Sequence, residues 1–152
     1  MSLPAPSTGE PTRVAVVGLG YWGPNLVRNL YEIAETELTW VCDLRPERLE
    51  TIGRRYPTVK RTTNLDEVLA DPDVDAVAIA THVSSHHALA KRALEAGKHV
   101  LCEKPIGLSA AEGKMLVDEA KAHPDLKVIR KELAAEGIVL KDSAQGTTWE
   151  KG

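Results

Sequence analysis

Three short stretches of this 152-residue chain combine residue types and spacing that could do chemistry. In Gly18-Leu19-Gly20-Tyr21-Trp22-Gly23 the glycines follow a G-x-G-x-x-G pattern. Between a strand and a helix, such a run turns tightly at its first glycine and admits a pyrophosphate to the backbone at its second. At its third it lets helix and strand pack closely. The N-terminus of the following helix adds N–H groups and a partial positive charge for the phosphates. Asp43 follows Gly23 by 20 residues. A carboxylate at that place accepts hydrogen bonds from both adenosine ribose hydroxyls and repels a 2′-phosphate, which favours NAD over NADP. Arg45 and Arg48 leave NADP open, because a guanidinium at this corner would offset the repulsion. The alternatives are a purely structural glycine turn and an Asp43 that only starts the turn before Pro46. The third stretch is Glu103-Lys104-Pro105, which by itself reads as an exposed turn with an ion pair.

Other constellations carry less. His82, His86 and His87 straddle a loop-to-helix junction with no evident third ligand, so no metal site is expected. Ser84-Ser85-His86 are chain neighbours that do not make a triad on their own. Two cysteines, Cys42 and Cys102, are too few for a disulfide framework and point to a reducing, cytoplasmic setting. With 19 basic against 22 acidic residues the formal charge is −3, which offers no basic excess for a nucleic-acid backbone. Aromatic residues make up 4% of the chain with no Phe, so no stacking platform for single strands is evident. Apolar runs are far shorter than the ~20 residues of a membrane span. The first twelve residues lack the basic and apolar regions of a secretory signal and read as a disordered leader.

The elements that must position these residues alternate. Arg13–Val17 is a compact apolar strand ending at Gly18. From Pro24 a helix follows, with Leu26, Val27, Leu30, Tyr31 and Ile33 on its apolar face. Leu38–Cys42 is the second strand, and Pro46 opens a helix with Leu49 and Ile52 facing inward. Val59 marks a short third strand and Asn64–Leu69 a short helix, stopped at Asp71-Pro72. Asp75–Ala80 is the fourth strand. Ser85–Ala96 is a helix with Leu89, Ala93 and Leu94 inward and Gly97 at its C′ position. His99–Cys102 is the fifth strand. Ser109 and Glu112 form a capping box for a helix running to Ala122. Leu126–Ile129 suggests a sixth strand and Arg130–Glu136 a short helix closed by Gly137. Strands and helices alternating at this spacing imply an α/β fold with a doubly wound parallel sheet. In the order 3-2-1-4-5 the two cysteines stand three strand steps apart, about 14 Å, so both are expected to be reduced thiols.

GLGYWGPN, ATHVSSHHALAKRALEAGKHVLCEKP and the spacing between them resemble the N-terminal NAD(P)-binding Rossmann domain of the Gfo/Idh/MocA oxidoreductases, over roughly residues 13–125. The resemblance implies hydride transfer between nicotinamide and a hydroxyl of a sugar, cyclitol or sugar nucleotide. It implies that Gly18, Gly20, Tyr21, Trp22, Gly23, Asp43 and Arg45 hold the cofactor, with Ala80, Thr81 and His86 lining it after the fourth strand. Glu103 falls beside the nicotinamide ribose, and Lys104 falls next to the nicotinamide and the substrate hydroxyl as the catalytic residue. His82 departs from the family pattern, where a proline is common.

Residues 128–149 resemble something else, the C-terminal end of bacterial cysteinyl-tRNA synthetases, where the segment belongs to a tRNA-binding helical domain. Charges in residues 129–152 balance at four against four, and the preferred reading is a helix and extended tail covering a sheet edge. The expected organisation is a leader over 1–12, a dinucleotide-binding domain over 13–127 and a short tail over 128–152. The length leaves room for one such domain and no full substrate domain, so the chain reads as truncated or fused and catalytically incomplete, completed by a separate substrate domain or by homo-oligomerisation. The competing functions are the cofactor half of an oxidoreductase, a non-catalytic dinucleotide-binding regulator, and a tRNA-related binding piece acting through the tail.

Overall fold

The computed structural model describes residues 10–102 and 108–123, and the backbone of three short strands at 128–130, 138–141 and 148–151. The described chain divides into two compact units, one ending at Thr81 and one running from His82 onward.

The first unit holds β1 (Thr12–Val17), α1 (Gly23–Glu32), β2 (Thr36–Cys42), α2 (Pro46–Arg55), β3 (Lys60–Thr62), α3 (Leu65–Ala70) and β4 (Ala76–Ile79). Its strands are parallel in the order β3-β2-β1-β4. β1 is central, and Val14, Ala15, Val16 and Val17 are all buried, as expected of a strand covered on both faces. Its register against β2 slips between Val14 and Ala15. At that bulge the Thr39 hydroxyl donates to the Val14 carbonyl at 3.2 Å, so the extra residue keeps a partner.

The second unit holds α4 (Val83–Glu95), β5 (His99–Cys102), α5 (Ala110–Ala122), β6 (Val128–Arg130), β7 (Ile138–Lys141) and β8 (Thr148–Lys151). β5 and β6 pair in parallel, and β7 and β8 form an antiparallel pair. Gly97 has φ +78°, and the Gly97 and Lys98 N–H groups donate to the Leu94 and Ala93 carbonyls at 2.9 Å. This is the Schellman stop expected from a glycine after the last helical turn. Ser109 caps α5 by accepting from the Glu112 N–H at 3.2 Å, while the Glu112 carboxylate reaches one residue further back, to the Leu108 N–H at 2.6 Å.

Several sequence expectations need correction. β2 begins at Thr36, two residues earlier than expected, and β3 lies just after Val59, which is buried in the loop before it. Tyr31 and Ile33 are exposed, because α1 ends at Glu32 and its apolar face is carried by Leu26, Val27 and Leu30 alone. α4 starts two residues early because the His82 side chain is its N-cap, its Nδ1 accepting from the Ser84 N–H at 3.3 Å. The same residue that departs from the family pattern therefore sets the helix start. Leu89 is half-buried, and the inward face of α4 is His86, Ala90, Ala93 and Leu94. Arg130 ends β6 instead of opening a helix. The rest of that expected helix lies outside the described residues. The tail contains two paired strands where a single extended run was expected.

Candidate functional site

The carboxyl ends of β1, β2 and β4 meet around the glycine loop. Backbone hydrogen bonds continue the parallel ladders past the strand ends: Gly18 N–H donates to Cys42 O at 2.8 Å, Ala80 N–H to Val17 O at 2.8 Å and Asp43 N–H to Thr62 O at 3.3 Å. These bonds hold the three loops in register, so the loop residues inherit the rigidity of the sheet.

Two of the three glycines are sterically required. Gly18 has φ +95°, and a Cβ there would lie 2.8 Å from the Ala80 backbone and from Thr81 Cγ2. A Cβ on Gly23 would lie 2.0 Å from the Gly18 carbonyl oxygen, so α1 starts hard against the loop. Gly20 differs: among the described residues the only atom near its missing Cβ is Arg48 Nη1, at 3.6 Å. The loop is thus closed at its first and third glycines and open at its second, as close approach of a pyrophosphate to the backbone requires. Pro24 occupies the first turn of α1, no side chain caps its N-terminus and no acidic residue lies in that turn. No carboxylate of the helix's own first turn therefore competes with an anion at this end.

Asp43 is buried, and its side chain is 5% exposed. Its Oδ2 accepts from the Leu19 N–H at 2.7 Å and from Arg48 Nη1 at 3.3 Å, and its Oδ1 accepts from the Arg45 N–H at 2.8 Å. The carboxylate is therefore fixed by backbone donors from two loops before any ligand arrives. Tyr21 and Trp22 stand exposed on the loop, edge to face with ring centroids 5.0 Å apart. Leu44, just after Asp43, is 86% exposed.

Of the residues singled out in the sequence, Gly18, Gly20, Gly23, Asp43, Arg45, Ala80 and Thr81 come together in the first unit. Arg45 contributes its backbone N–H, and its side chain is exposed. His86 lies on α4 in the second unit, where it is 1% exposed among inward-facing residues. Glu103, Lys104 and Pro105 lie outside the described residues. The sequence reading missed the Leu19 N–H, which as a backbone donor leaves no signature in side-chain type. Of the two arginines the sequence offered as an offset to the Asp43 charge, Arg48 places its guanidinium against the carboxylate, with Nη1 3.3 Å from Oδ2.

Cys42 and Cys102 are both buried thiols. Among the described residues no group of three His, Cys, Asp or Glu is arranged to hold a metal, and no helix is long and apolar enough to cross a membrane.

Residues 12–129 match the family model described as the oxidoreductase family with an NAD-binding Rossmann fold. The chain is 33% identical to a myo-inositol 2-dehydrogenase of Thermotoga maritima over 109 residues, which are 72% of this chain and 33% of that protein. It spans about a third of the length of the curated relatives it matches. The crystal structure of a Lactobacillus casei scyllo-inositol dehydrogenase with bound NAD(H) and scyllo-inositol superposes with a TM-score of 0.77 at 26% identity, covering 83% of this chain and 37% of that one. KijD10, a 3-ketoreductase from Actinomadura kijaniata crystallised with NADP and TDP-benzene, superposes with a TM-score of 0.76 at 26% identity, covering 84% of this chain and 39% of that one. The doubly wound parallel fold expected from the alternating pattern is thus the fold of these dehydrogenases.

Proposed function

The chain belongs to the Gfo/Idh/MocA oxidoreductases and carries their NAD-binding Rossmann fold, and from that premise we propose how its residues bind NAD(H) and serve hydride exchange with a hydroxyl-bearing carbon. The observation that carries the proposal is the glycine loop, shut at Gly18 and Gly23 and open at Gly20, beside a buried and pre-fixed Asp43 carboxylate.

In this reading the open backbone at Gly20 and the N-terminus of α1 receive the pyrophosphate. Asp43 accepts from the adenosine ribose, using lone pairs left over after its three donors. The cost of ordering that carboxylate is met during folding, so binding gains from a preorganised partner. Tyr21 and Trp22 present their exposed faces along the cofactor, and Arg45 holds Asp43 through its N–H. Ala80, Thr81 and His86 are proposed to line the cofactor, and Glu103 to hold the nicotinamide ribose. NAD(H), when bound, supplies the hydride acceptor or donor. Lys104 is proposed to stand beside the substrate hydroxyl, where its ammonium favours a developing alkoxide and takes part in moving the hydroxyl proton.

The substrate class follows the relatives: a cyclitol, sugar or sugar-nucleotide hydroxyl, as in the inositol dehydrogenases named above. A substrate domain or a homo-oligomeric partner completes the site in this proposal, in the reducing interior of the cell. The resemblance of the 128–149 segment to the synthetase tail raises a separate reading, contact with tRNA. The even charge balance of that segment argues against it, because phosphate binding needs a cationic surplus.

The test is calorimetric titration of the chain with NAD, alongside Gly20→Ala. Among the described residues a Cβ at Gly20 meets only Arg48 Nη1, at an ordinary contact distance of 3.6 Å, but it stands where the pyrophosphate must approach. The variant is therefore expected to keep the wild-type melting temperature and to bind NAD about tenfold or more weakly, a loss of ~1.4 kcal/mol. No heat with the wild type at millimolar NAD overturns the proposal.

A further inference from the structure

The amino ends of β1, β2 and β3 border an open cavity of about 570 Å³, a volume in the range of small-molecule pockets. It lies within the first unit, at the opposite edge of the parallel sheet from the glycine loop. What its lining has left to offer a ligand is one-sided. The lining cations are engaged: Arg13 Nη1 is 2.9 Å from Asp73 Oδ1, and Lys60 Nζ is 3.2 Å from Asp71 Oδ2. Two lining hydroxyls have spent their protons on the backbone. Thr36 donates to the Leu30 carbonyl at 2.6 Å and Thr39 to the Val14 carbonyl at 3.2 Å, so each can only accept from a ligand. Among the described residues no hydrogen bond or ion pair reaches the Glu37 carboxylate, which lines the same cavity. The charge left over in the lining is therefore negative, and Glu37 carries it.

The aromatic rings of this edge point the same way. Lys60 Nζ stands 5.2 Å from the centre of the Trp40 ring, and the Arg55 guanidinium 5.6 Å from that of Tyr56. Tyr31 packs against Tyr56 with centroids 4.8 Å apart and lines the cavity while 49% exposed. Among the described residues no cation covers its ring. A free aromatic surface beside an unpaired carboxylate suits an organic cation. A metal ion does not fit, since among the described residues no group of three His, Cys, Asp or Glu is arranged to hold one. We propose that this cavity binds a small organic amine. Its ammonium pairs with Glu37 and lies against Tyr31, and its N–H donors meet the Thr36 and Thr39 hydroxyls. The inference stands apart from the dinucleotide reading, because the two sites share no residue.

The experiment titrates the full chain with the diamine putrescine at about 0.15 M salt, following heat and amide NMR shifts. Its uncharged counterpart, butanediol, is the matched probe. Putrescine is expected to bind at about millimolar concentration or below and to move the amides of Thr36, Glu37 and Thr58, while butanediol does neither. Glu37→Gln should weaken putrescine about tenfold, through loss of a charge-assisted hydrogen bond. Tyr31→Leu should weaken it about threefold. Glu37 has no partner to lose, so Glu37→Gln is expected to keep the wild-type melting temperature. Glu35→Gln removes an equal charge from a neighbour outside the lining and should change affinity less than about twofold.

No binding at about 10 mM putrescine overturns the proposal. Equal weakening by Glu35→Gln and Glu37→Gln also overturns it, since that marks diffuse attraction to an acidic chain. Two further outcomes need no variant. Butanediol that binds as well as putrescine removes the role of charge, and putrescine that moves only amides away from the cavity removes the site.

Discussion

Gly23 and Gly20 sit three residues apart in one loop, yet they answer to different constraints. At Gly23 the obstacle to a side chain is the protein itself, the Gly18 carbonyl oxygen 2.0 Å from where a Cβ would sit. Both partners are backbone, and neither can move without shifting α1 or β1. Gly23→Ala should therefore lower stability by roughly 1–3 kcal/mol, the usual cost of overpacking, read as a drop in urea midpoint without any ligand present. An unchanged midpoint would show that α1 is not seated as described. At Gly20 the fold has room, so a side chain there is opposed only by what binds. Comparing the two variants separates the part of the motif that folds the chain from the part that serves a ligand. The sequence pattern treats all three glycines alike; only the distances divide them.

At the scale of elements, ends proved more informative than middles. α5 begins where the Ser109 capping box placed it, and α4 stops at the expected glycine. Both signals are local, made of groups a few residues apart that meet whatever the rest of the chain does. Ser109→Ala removes the acceptor for the Glu112 N–H and should cost about 1 kcal/mol, measurable by thermal melting; an unchanged melt would mean that the Glu112 carboxylate on Leu108 carries the cap alone. The start of α4 was less legible, because histidine is an uncommon cap and its ring had to turn back onto Ser84. The β1–β2 bulge was not legible either. It depends on which residues of two distant segments face each other, and a single strand carries no record of its register.

For the molecule as a whole, the two edges of the first unit do different work. The carboxyl-end edge holds the glycine loop and Asp43. The amino-end edge holds a cavity of about 570 Å³ whose lining charges are largely satisfied by one another. There Arg13 grips Asp75 through Nε and Nη2 at 3.0 and 2.9 Å and reaches Asp73 at 2.9 Å, tying the start of β1 to the approach to β4. Beside it Asp71 accepts from the Trp40 indole N–H at 2.7 Å, from the Asp73 N–H at 2.8 Å and from Lys60 at 3.2 Å. The Trp40 hydrogen bond leads in holding the Asp71 carboxyl down at about 2, from an ordinary 3.8. A carboxylate with a depressed folded-state pKa contributes stability that is fully present above its unfolded value and is lost as pH falls through the folded one. Thermal stability should accordingly decline between about pH 4 and pH 2, and Asp71→Asn should be less stable at neutral pH with a shallower decline. A variant whose acid profile overlays the wild type would mean that other carboxylates control acid unfolding.

What the sequence settled by itself was whatever depends on neighbours along the chain: the alternation of strands and helices, the caps at Ser109 and Gly97, and the glycine pattern opening α1. Hydrogen bonds and periodicity over a few residues fix these, so they can be read from residue types in order. The tertiary structure alone decided which glycine leaves room for a ligand, that Asp43 is held by the Leu19 N–H across 24 residues, and that Arg48 turns back to cover it. Each depends on the distance between groups that only the packed sheet brings together, and distance across a fold is not written in the spacing of residues along it.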